Sequence, residues 1–129
     1  MGASTGDLLA ASDEEVASVL SNGKRVVAVH AEDQYIMEAN MKTILGDSHD
    51  VSLHCKWRSP ESCLSATQRV VMIAKKYNRR VHVLHITTSE EMDFLRKHKA
   101  EFNILCCVHA GNQDRPLDVY KHFRDDLGI

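Results

Sequence analysis

The chain is predicted to fold as an α/β protein in which parallel strands alternate with amphipathic helices. Residues 25–30 and 81–86 are apolar runs without strict alternation, which is typical of strands buried on both faces of a parallel sheet, and residues 102–108 form a third such run. The segments between them carry apolar residues at helical spacing. Right-handed crossovers bring the carboxyl ends of such strands to one edge, where functional side chains are expected.

Helix boundaries are predicted from capping residues. Ser12 and Glu15 form a capping box, and Ser59 precedes a first-turn proline. Apolar spacing places Met41 on the inward face of the second helix and Tyr77 on the buried face of the third. The predicted helices cover about 12–22, 33–45, 59–78, 88–100 and 116–127, with a polar loop over 47–58.

Composition and charge exclude several functional classes. In 129 residues, 43% are hydrophobic and 26% charged, which is the composition of one globular domain. The net charge of −2, without a long basic run, argues against a nucleic-acid partner. No apolar run approaches the roughly 20 residues of a membrane span, and the start has no leader pattern. Cysteines without CxxC spacing fit a cytoplasmic protein with reduced thiols.

Histidines close the predicted strands. His30, His85 and His109 each lie at or beyond a carboxyl end, and three imidazoles on one rim would suit zinc. In a chain with eight histidines, however, some fall at strand ends by chance, and position alone favours that interpretation. His82 and His85 are three residues apart, so alternation places them on opposite faces. We expect His82 to pack under a helix and His85 to face the rim.

Four local motifs, in chain order, resemble those of dihydroorotase, a zinc-type cyclic amidohydrolase. The motifs are Met1-Gly2-Ala3-Ser4-Thr5-Gly6-Asp7-Leu8-Leu9, Val29-His30-Ala31-Glu32-Asp33, Arg58-Ser59-Pro60-Glu61-Ser62 and Leu84-His85-Ile86-Thr87-Thr88. The resemblance runs from Met1 to about Lys99. It implies that residues 1–129 are a single partial TIM-type (β/α) barrel domain, covering roughly the fifth to seventh strand-helix units. Hydantoinases and allantoinases share the superfamily, but the glycine-serine-threonine opening and the His-Ala-Glu-Asp motif favour dihydroorotase.

The resemblance also implies site residues. His30 and His85 match the family's histidine ligands at the ends of the fifth and sixth strands, which hold one metal of a two-zinc site. In the family, the paired metals activate a hydroxide that attacks the ring amide of dihydroorotate, or drive the reverse closure of carbamoyl aspartate, in pyrimidine biosynthesis. Arg58 matches an arginine after the substrate-side loop, which makes it a candidate for substrate binding or a solvated charge. No role is carried onto His109.

Other parts of the family's site have no counterpart here. The His-x-His pair of the first strand, the bridging lysine or aspartate, and the strand-eight aspartate are missing from the motifs that match. A complete barrel takes about 250 residues, so we expect the chain to be part of one and inactive by itself. The alternatives are a non-catalytic remnant or interaction module and a hydantoinase- or allantoinase-like fragment. A partial barrel leaves strand edges and apolar helix faces uncovered, which predicts self-association or a complementary fragment as partner.

Overall fold

The computed structural model describes residues 10–98 and 104–108. Its three strands form one parallel sheet in the order β1-β2-β3, which confirms the predicted α/β class for this part of the chain. The predicted helix over 116–127 and His109 lie outside the described residues. The elements are α1 (Asp13–Ser21), β1 (Val27–His30), α2 (Gln34–Asn40), a π-helical turn (Met41–Leu45), a 3₁₀ turn (Val51–Leu53), α3 (His54–Trp57), α4 (Pro60–Lys76), β2 (Val81–Ile86), α5 (Ser89–His98) and β3 (Ile104–Val108).

The hydrophobic core lies between the sheet and the helices on one of its faces. One cluster joins α1 and α4 to β2, and the other joins α4 and α5 to the end of β2. On the opposite face of the sheet Ala28 is exposed, and His82 and Leu84 are half-buried. The buried members of the two clusters are Val16, Leu20, Val70, Ala74 and Val81, and Ala31, Ala66, Val71, Val83, Ile86 and Leu95.

The predicted helix starts are confirmed by their caps. The Ser12 hydroxyl accepts a 3.2 Å hydrogen bond from the Glu15 amide, and the Glu15 carboxylate accepts one of 3.0 Å from the Ser12 amide. At α5 the Glu91 amide donates to the Thr88 hydroxyl over 3.2 Å, and that hydroxyl donates to the Glu91 carboxylate over 2.9 Å. The amides of Ser12, Glu15 and Glu91, which have no partner within their helices, are thereby satisfied. Within the described ranges, no helix is both long enough and apolar enough to span a membrane.

Two residues that were predicted to lie on the buried faces of helices, Met41 and Tyr77, are exposed. Met41 is 46% exposed, because the helix widens into a π-helical turn after Asn40 and the phase of its side chains changes. Tyr77 is 38% exposed, because α4 ends at Lys76 and the backbone of Tyr77 leaves the helix. The predicted loop over 47–58 is also interrupted, by the 3₁₀ turn and by the single turn of α3.

The end of β2 departs from regular strand geometry at His85. Its φ of 57° lies in the left-handed region, and the β2–β3 pairing shifts register between Val83 and Ile86. Val81 and Val83 point into the core, so strict alternation would send His85 there too; instead Ile86 is buried and His85 is exposed. The prediction that His82 packs under a helix is wrong, because the two valines occupy the helix-facing positions and His82 points to the other face.

Asp33 connects the segment after β1 to α4 through hydrogen bonds and an ion pair. Its Oδ2 accepts hydrogen bonds from the Ser65 hydroxyl (2.8 Å) and from Arg69 Nη1 (3.0 Å). Its Oδ1 caps α2 by accepting from the amides of Tyr35 and Ile36. The residue is 5% exposed, and burial alone would raise the pKa of its carboxyl group, but these hydrogen bonds outweigh burial and lower it.

Acid should therefore destabilise the fold partly through Asp33. Because the folded-state pKa is below that of a free aspartate, the stabilisation is complete above the free value and declines as the pH falls through the lowered one. Urea unfolding from neutral pH down to about pH 2 should show this decline, with a shallower dependence in an Asp33→Asn variant. Equal pH dependence in the two proteins would contradict the assignment to Asp33.

Candidate functional site

A cleft of about 580 Å³ opens at the carboxyl ends of β1 and β2. Its walls come from the segment after β1, from α3, from the start of α4 and from the end of β2 with the start of α5. Its polar or reactive lining residues include His30, Glu32, Arg58, Cys63 and His85. The structure thus gathers polar side chains at the sheet edge where a parallel α/β fold is expected to place them.

The two predicted ligand histidines are neighbours in this cleft. The ring centroids of His30 and His85 are 5.6 Å apart, and the ring planes are tilted by 54°. His30 is the last residue of β1 and pairs with Leu84, so the register places His85 one residue beyond it on the adjacent strand. The left-handed backbone of His85, which costs on the order of 1–3 kcal/mol in a non-glycine residue, turns its side chain to the cleft.

The surroundings of His30 favour the neutral form that a metal ligand needs. Burial is the largest influence and lowers the pKa of its imidazole. The carboxylate of Glu32 opposes this change, whereas the nearby His85 and Arg58 add to it. Because metal binding requires unprotonated imidazole, a lowered pKa keeps a lone pair available at neutral pH.

Glu32 and Arg58 form an ion pair beside His30. Glu32 is 8% exposed, and its Oε2 lies 3.3 Å from Arg58 Nη2 and 3.9 Å from His30 Nδ1. The Arg58 guanidinium lies 5.2 Å from the centroid of the Trp57 ring. Arg58, the predicted substrate-binding candidate, is therefore in the cleft, and one of its nitrogens is directed at a protein carboxylate. Sequence reasoning missed Glu32, although an acidic residue just after a strand-end histidine could have drawn attention to it.

The residues present fit one side of a metal centre. His30 and His85 offer imidazole nitrogens, whereas catalytic zinc usually takes three protein ligands. Over residues 10–98 and 104–108, no group of three or more His, Cys, Asp or Glu side chains is placed to hold a metal ion. Glu32 is buried against Arg58. The described part of the chain therefore offers two candidate imidazole ligands, fewer than a catalytic zinc site requires.

Cys63 borders the cleft but is unsuited to act as a thiolate. Burial, with a smaller effect of Glu91 and Glu32, raises the pKa of its thiol to about 11. We expect iodoacetamide to modify the exposed Cys55 at least about tenfold faster than Cys63 at neutral pH, because only the thiolate reacts. Peptide mapping by mass spectrometry gives both rates in one sample, and comparable rates would contradict the protected environment of Cys63.

No family model matches the chain. A dihydroorotase from Methanosphaera stadtmanae is 24% identical over 94 residues, which is 70% of this chain and 22% of that protein. The chain thus spans about a fifth of the length of the curated relative that it matches. This similarity confirms the resemblance to dihydroorotase over part of the chain.

Solved structures share its fold. The L-hydantoinase (dihydropyrimidinase) of Arthrobacter aurescens matches with a TM-score of 0.73 and 23% identity, over 85% of this chain and 26% of that one. A dihydropyrimidinase from Brevibacillus agri matches with a TM-score of 0.71 and 23% identity, over 78% and 23% of the two chains. A D-hydantoinase from a Thermus species matches with a TM-score of 0.72 and 18% identity, over 80% of this chain and 24% of that one. The fold is that of about a quarter of these proteins.

Proposed function

We propose that this chain is a segment of a metal-dependent hydrolase of cyclic amides, most like dihydroorotase, and that His30 and His85 hold one metal ion of its active site. The observation that carries the proposal is the pair of imidazoles at the carboxyl ends of adjacent parallel strands, 5.6 Å apart and bordering a cleft. The dihydroorotase and hydantoinase relatives support it. On this proposal, residues 1–129 are one part of a (β/α) barrel around its fifth to seventh units, in a cytoplasmic enzyme of pyrimidine biosynthesis.

The names of the relatives point to one bond type. Dihydroorotate, hydantoin and dihydropyrimidine rings all contain an amide within a ring, and cleaving it requires a polarised carbonyl and an activated water. A zinc ion held by His30 and His85 would supply both of these functions when bound. The chain itself provides the imidazole lone pairs and the wall of the cleft. Arg58 remains our candidate for a substrate carboxylate, a group that dihydroorotate has and that hydantoin and dihydrouracil lack.

Two imidazoles alone form an incomplete site. We therefore propose that the isolated chain binds zinc without turning over substrate, and that the remaining ligands come from outside the described residues. The hydantoinase-like alternative predicts the same metal site with a different ring preference. The remnant alternative, a non-catalytic interaction module, predicts no specific metal binding.

The experiment is a zinc titration of the metal-free chain, combined with assays of dihydroorotate, hydantoin and dihydrouracil on the same preparation. Zinc binding at one site per chain without turnover is the expected result. Turnover of one ring would identify the substrate class and would show that the chain, alone or assembled, forms a complete site. Absence of specific zinc binding would refute the proposed metal site and favour the interaction module.

We also propose that the chain self-associates or pairs with a complementary fragment through the sheet face that carries Ala28 and His82. Ala28 is exposed on this face, opposite the helix layer. Sedimentation velocity at micromolar concentration should show a dimer or larger species, and Ala28→Glu should shift it to monomer, because a buried charge opposes association. Gln68→Glu, at an exposed position of α4, is the matched control. A monomeric parent chain would contradict self-association.

A further inference from the structure

The end of the sheet opposite the cleft carries a dense group of cations. The amino ends of β1 and β2 lie side by side there, because Val27 pairs with Val81 and its amide donates a 3.2 Å hydrogen bond to the Arg80 carbonyl. Residues 22–26 and 75–80, which lead into these two strands, therefore meet at one surface. Together they carry six basic residues, which we call the basic face: Lys24, Arg25, Lys75, Lys76, Arg79 and Arg80.

The protein leaves much of this charge without a counter-charge. No aspartate or glutamate occurs in residues 16–31 or 62–89, so neither basic segment has an acidic neighbour along the chain. Within the part of the chain that the structure describes, Lys24, Arg25 and Arg80 form no salt bridge. Like charges gathered on one surface repel one another, which costs stability unless an anion is bound.

Arg79 connects the two basic segments. A Cβ built on Gly23 would lie 3.4 Å from Arg79 Nη1, so the guanidinium covers the turn between α1 and β1. Arg79 is half-buried, and its Nε and Nη1 have no hydrogen-bond partner among the described residues. A partly desolvated guanidinium with unused donors is more favourable next to an anion than alone. The packing on Gly23 also means that a partner would not have to order this side chain on binding.

Helix ends account for only part of the charge. Lys75 and Lys76 lie in the last turn of α4, where cations offset the partial negative charge of the helix terminus. Lys24, Arg25 and Arg80 lie outside any helix, so the helix dipole does not explain them. At the other end, α4 and α5 begin beside the cleft with acidic first turns. The resulting field directs an anionic partner to the basic face and away from the cleft.

We propose that the basic face is a docking surface for an acidic segment of another protein, in which apolar side chains are interspersed with carboxylates. Arginine binds carboxylates through paired donors, and three of the six cations are arginines. Val26 and Tyr77, which lie among the cations, are 39% and 38% exposed. Apolar side chains of the partner would cover these two residues, whereas a purely ionic polymer would leave them in water.

A nucleic acid fits this surface less well. The ring of Tyr77 already has the Lys76 ammonium 5.5 Å from its centroid, so a base that stacked on it would have to displace that cation. The described basic face offers no second aromatic ring for a neighbouring base. Binding at this face does not require a metal ion at the cleft, so this docking surface and the proposed metal site can fail independently.

The first test is binding of fluorescent peptides to the full 129-residue chain, followed by fluorescence anisotropy at low salt. One peptide intersperses glutamates with leucine and phenylalanine, and a second has the same glutamates with serine in place of the apolar residues. We expect saturable binding of the first peptide and at least about fivefold weaker binding of the second, because it covers no apolar surface. Absence of binding, or equal affinity for the two peptides, would overturn the proposed partner class.

The second test uses single substitutions in the basic face. Arg25→Glu and Arg80→Glu should each weaken binding of the apolar peptide at least about tenfold, because each replaces an attraction with a repulsion. Tyr77→Ser should weaken binding of the apolar peptide and leave that of the serine peptide unchanged. Lys56→Glu, an exposed lysine of α3 at the cleft end, is the matched control for net charge. An equal loss in that variant would mean that net charge alone governs binding and would reject the basic face.

Competing anions identify the class of partner. Inorganic polyphosphate, a single-stranded oligonucleotide and vesicles that contain phosphatidylserine are each titrated against the bound apolar peptide, at equal total concentrations of negative charge. The peptide should remain bound where the same amount of charge is offered without matching apolar groups. Displacement of the peptide by any of the three at a lower concentration of charge would overturn the choice of an acidic protein segment and assign the face to that anion. Circular dichroism of each variant verifies that it is folded.

Discussion

Replacing His30 or His85 with alanine should abolish stoichiometric zinc binding by the chain. The two imidazoles are the proposed ligands in the described cleft, and a metal held by so few protein groups cannot lose one and remain bound. Residues behind metal ligands already contribute tenfold to a hundredfold in affinity, so we expect a loss of more than about a hundredfold for a ligand itself. Metal analysis after equilibrium dialysis measures this loss directly.

His82→Ala is the matched control for that experiment. His82 lies on the same strand as His85 and on the open face of the sheet, so the variant removes an imidazole without removing a proposed ligand. His85→Gly distinguishes the loss of the imidazole from the strain in the backbone. Because glycine adopts a positive φ without strain, this variant should be more stable than His85→Ala. Zinc retained in both His30→Ala and His85→Ala, or lost in His82→Ala alone, would contradict the assignment of the site.

Replacing Asp33 with alanine should lower the free energy of unfolding by about 3 kcal/mol, because it breaks a partly buried ion pair and removes a helix cap together. The change leaves Arg69 with one carboxylate, that of Asp13, at 2.7 Å. It also leaves the amides at the start of α2 and the Ser65 hydroxyl without their acceptor. Urea unfolding monitored by circular dichroism measures the difference.

Asp50→Ala tests whether the effect of Asp33 is more than a lost cap. Asp50 also accepts an amide hydrogen bond, from Ser52 over 2.9 Å, but it is exposed and opens only a 3₁₀ turn. We expect that variant to destabilise the fold much less than Asp33→Ala does. Similar losses in the two variants would mean that Asp33 acts as a cap alone and that its contacts with α4 contribute little.

The helices and strands were largely predictable because their signals are local. Ser12 with Glu15, and Thr88 with Glu91, are close in sequence and act within one helical turn, so the caps are readable without a structure. The apolar runs of β1 and β2 are equally direct. Met41 was placed wrongly because a π-helical turn changes the helical phase, and no residue pattern in the sequence announced that turn.

The site was predictable only in its most distinctive residues. His30 and His85 were found through motifs that resemble a known family, and the structure brings them together. Glu32 was missed because its importance depends on Arg58, which approaches it through the folding of a separate segment. The exposure of His85 was also not derivable from alternation, since a single backbone angle reverses it. Contacts between distant segments and isolated left-handed residues leave little trace in a sequence pattern.

The left-handed backbone of His85 changes which positions of β2 face the helices. Upstream of it, odd-numbered positions face the helices; downstream, Ile86 does. Deleting Leu84 would let the isoleucine face the helices by regular alternation. The histidine would then follow Val83 directly, and a different backbone conformation would be needed for its side chain to reach the cleft. The positions that bury this strand against the helices and the position that faces the cleft can therefore change independently, provided that the strand keeps its length.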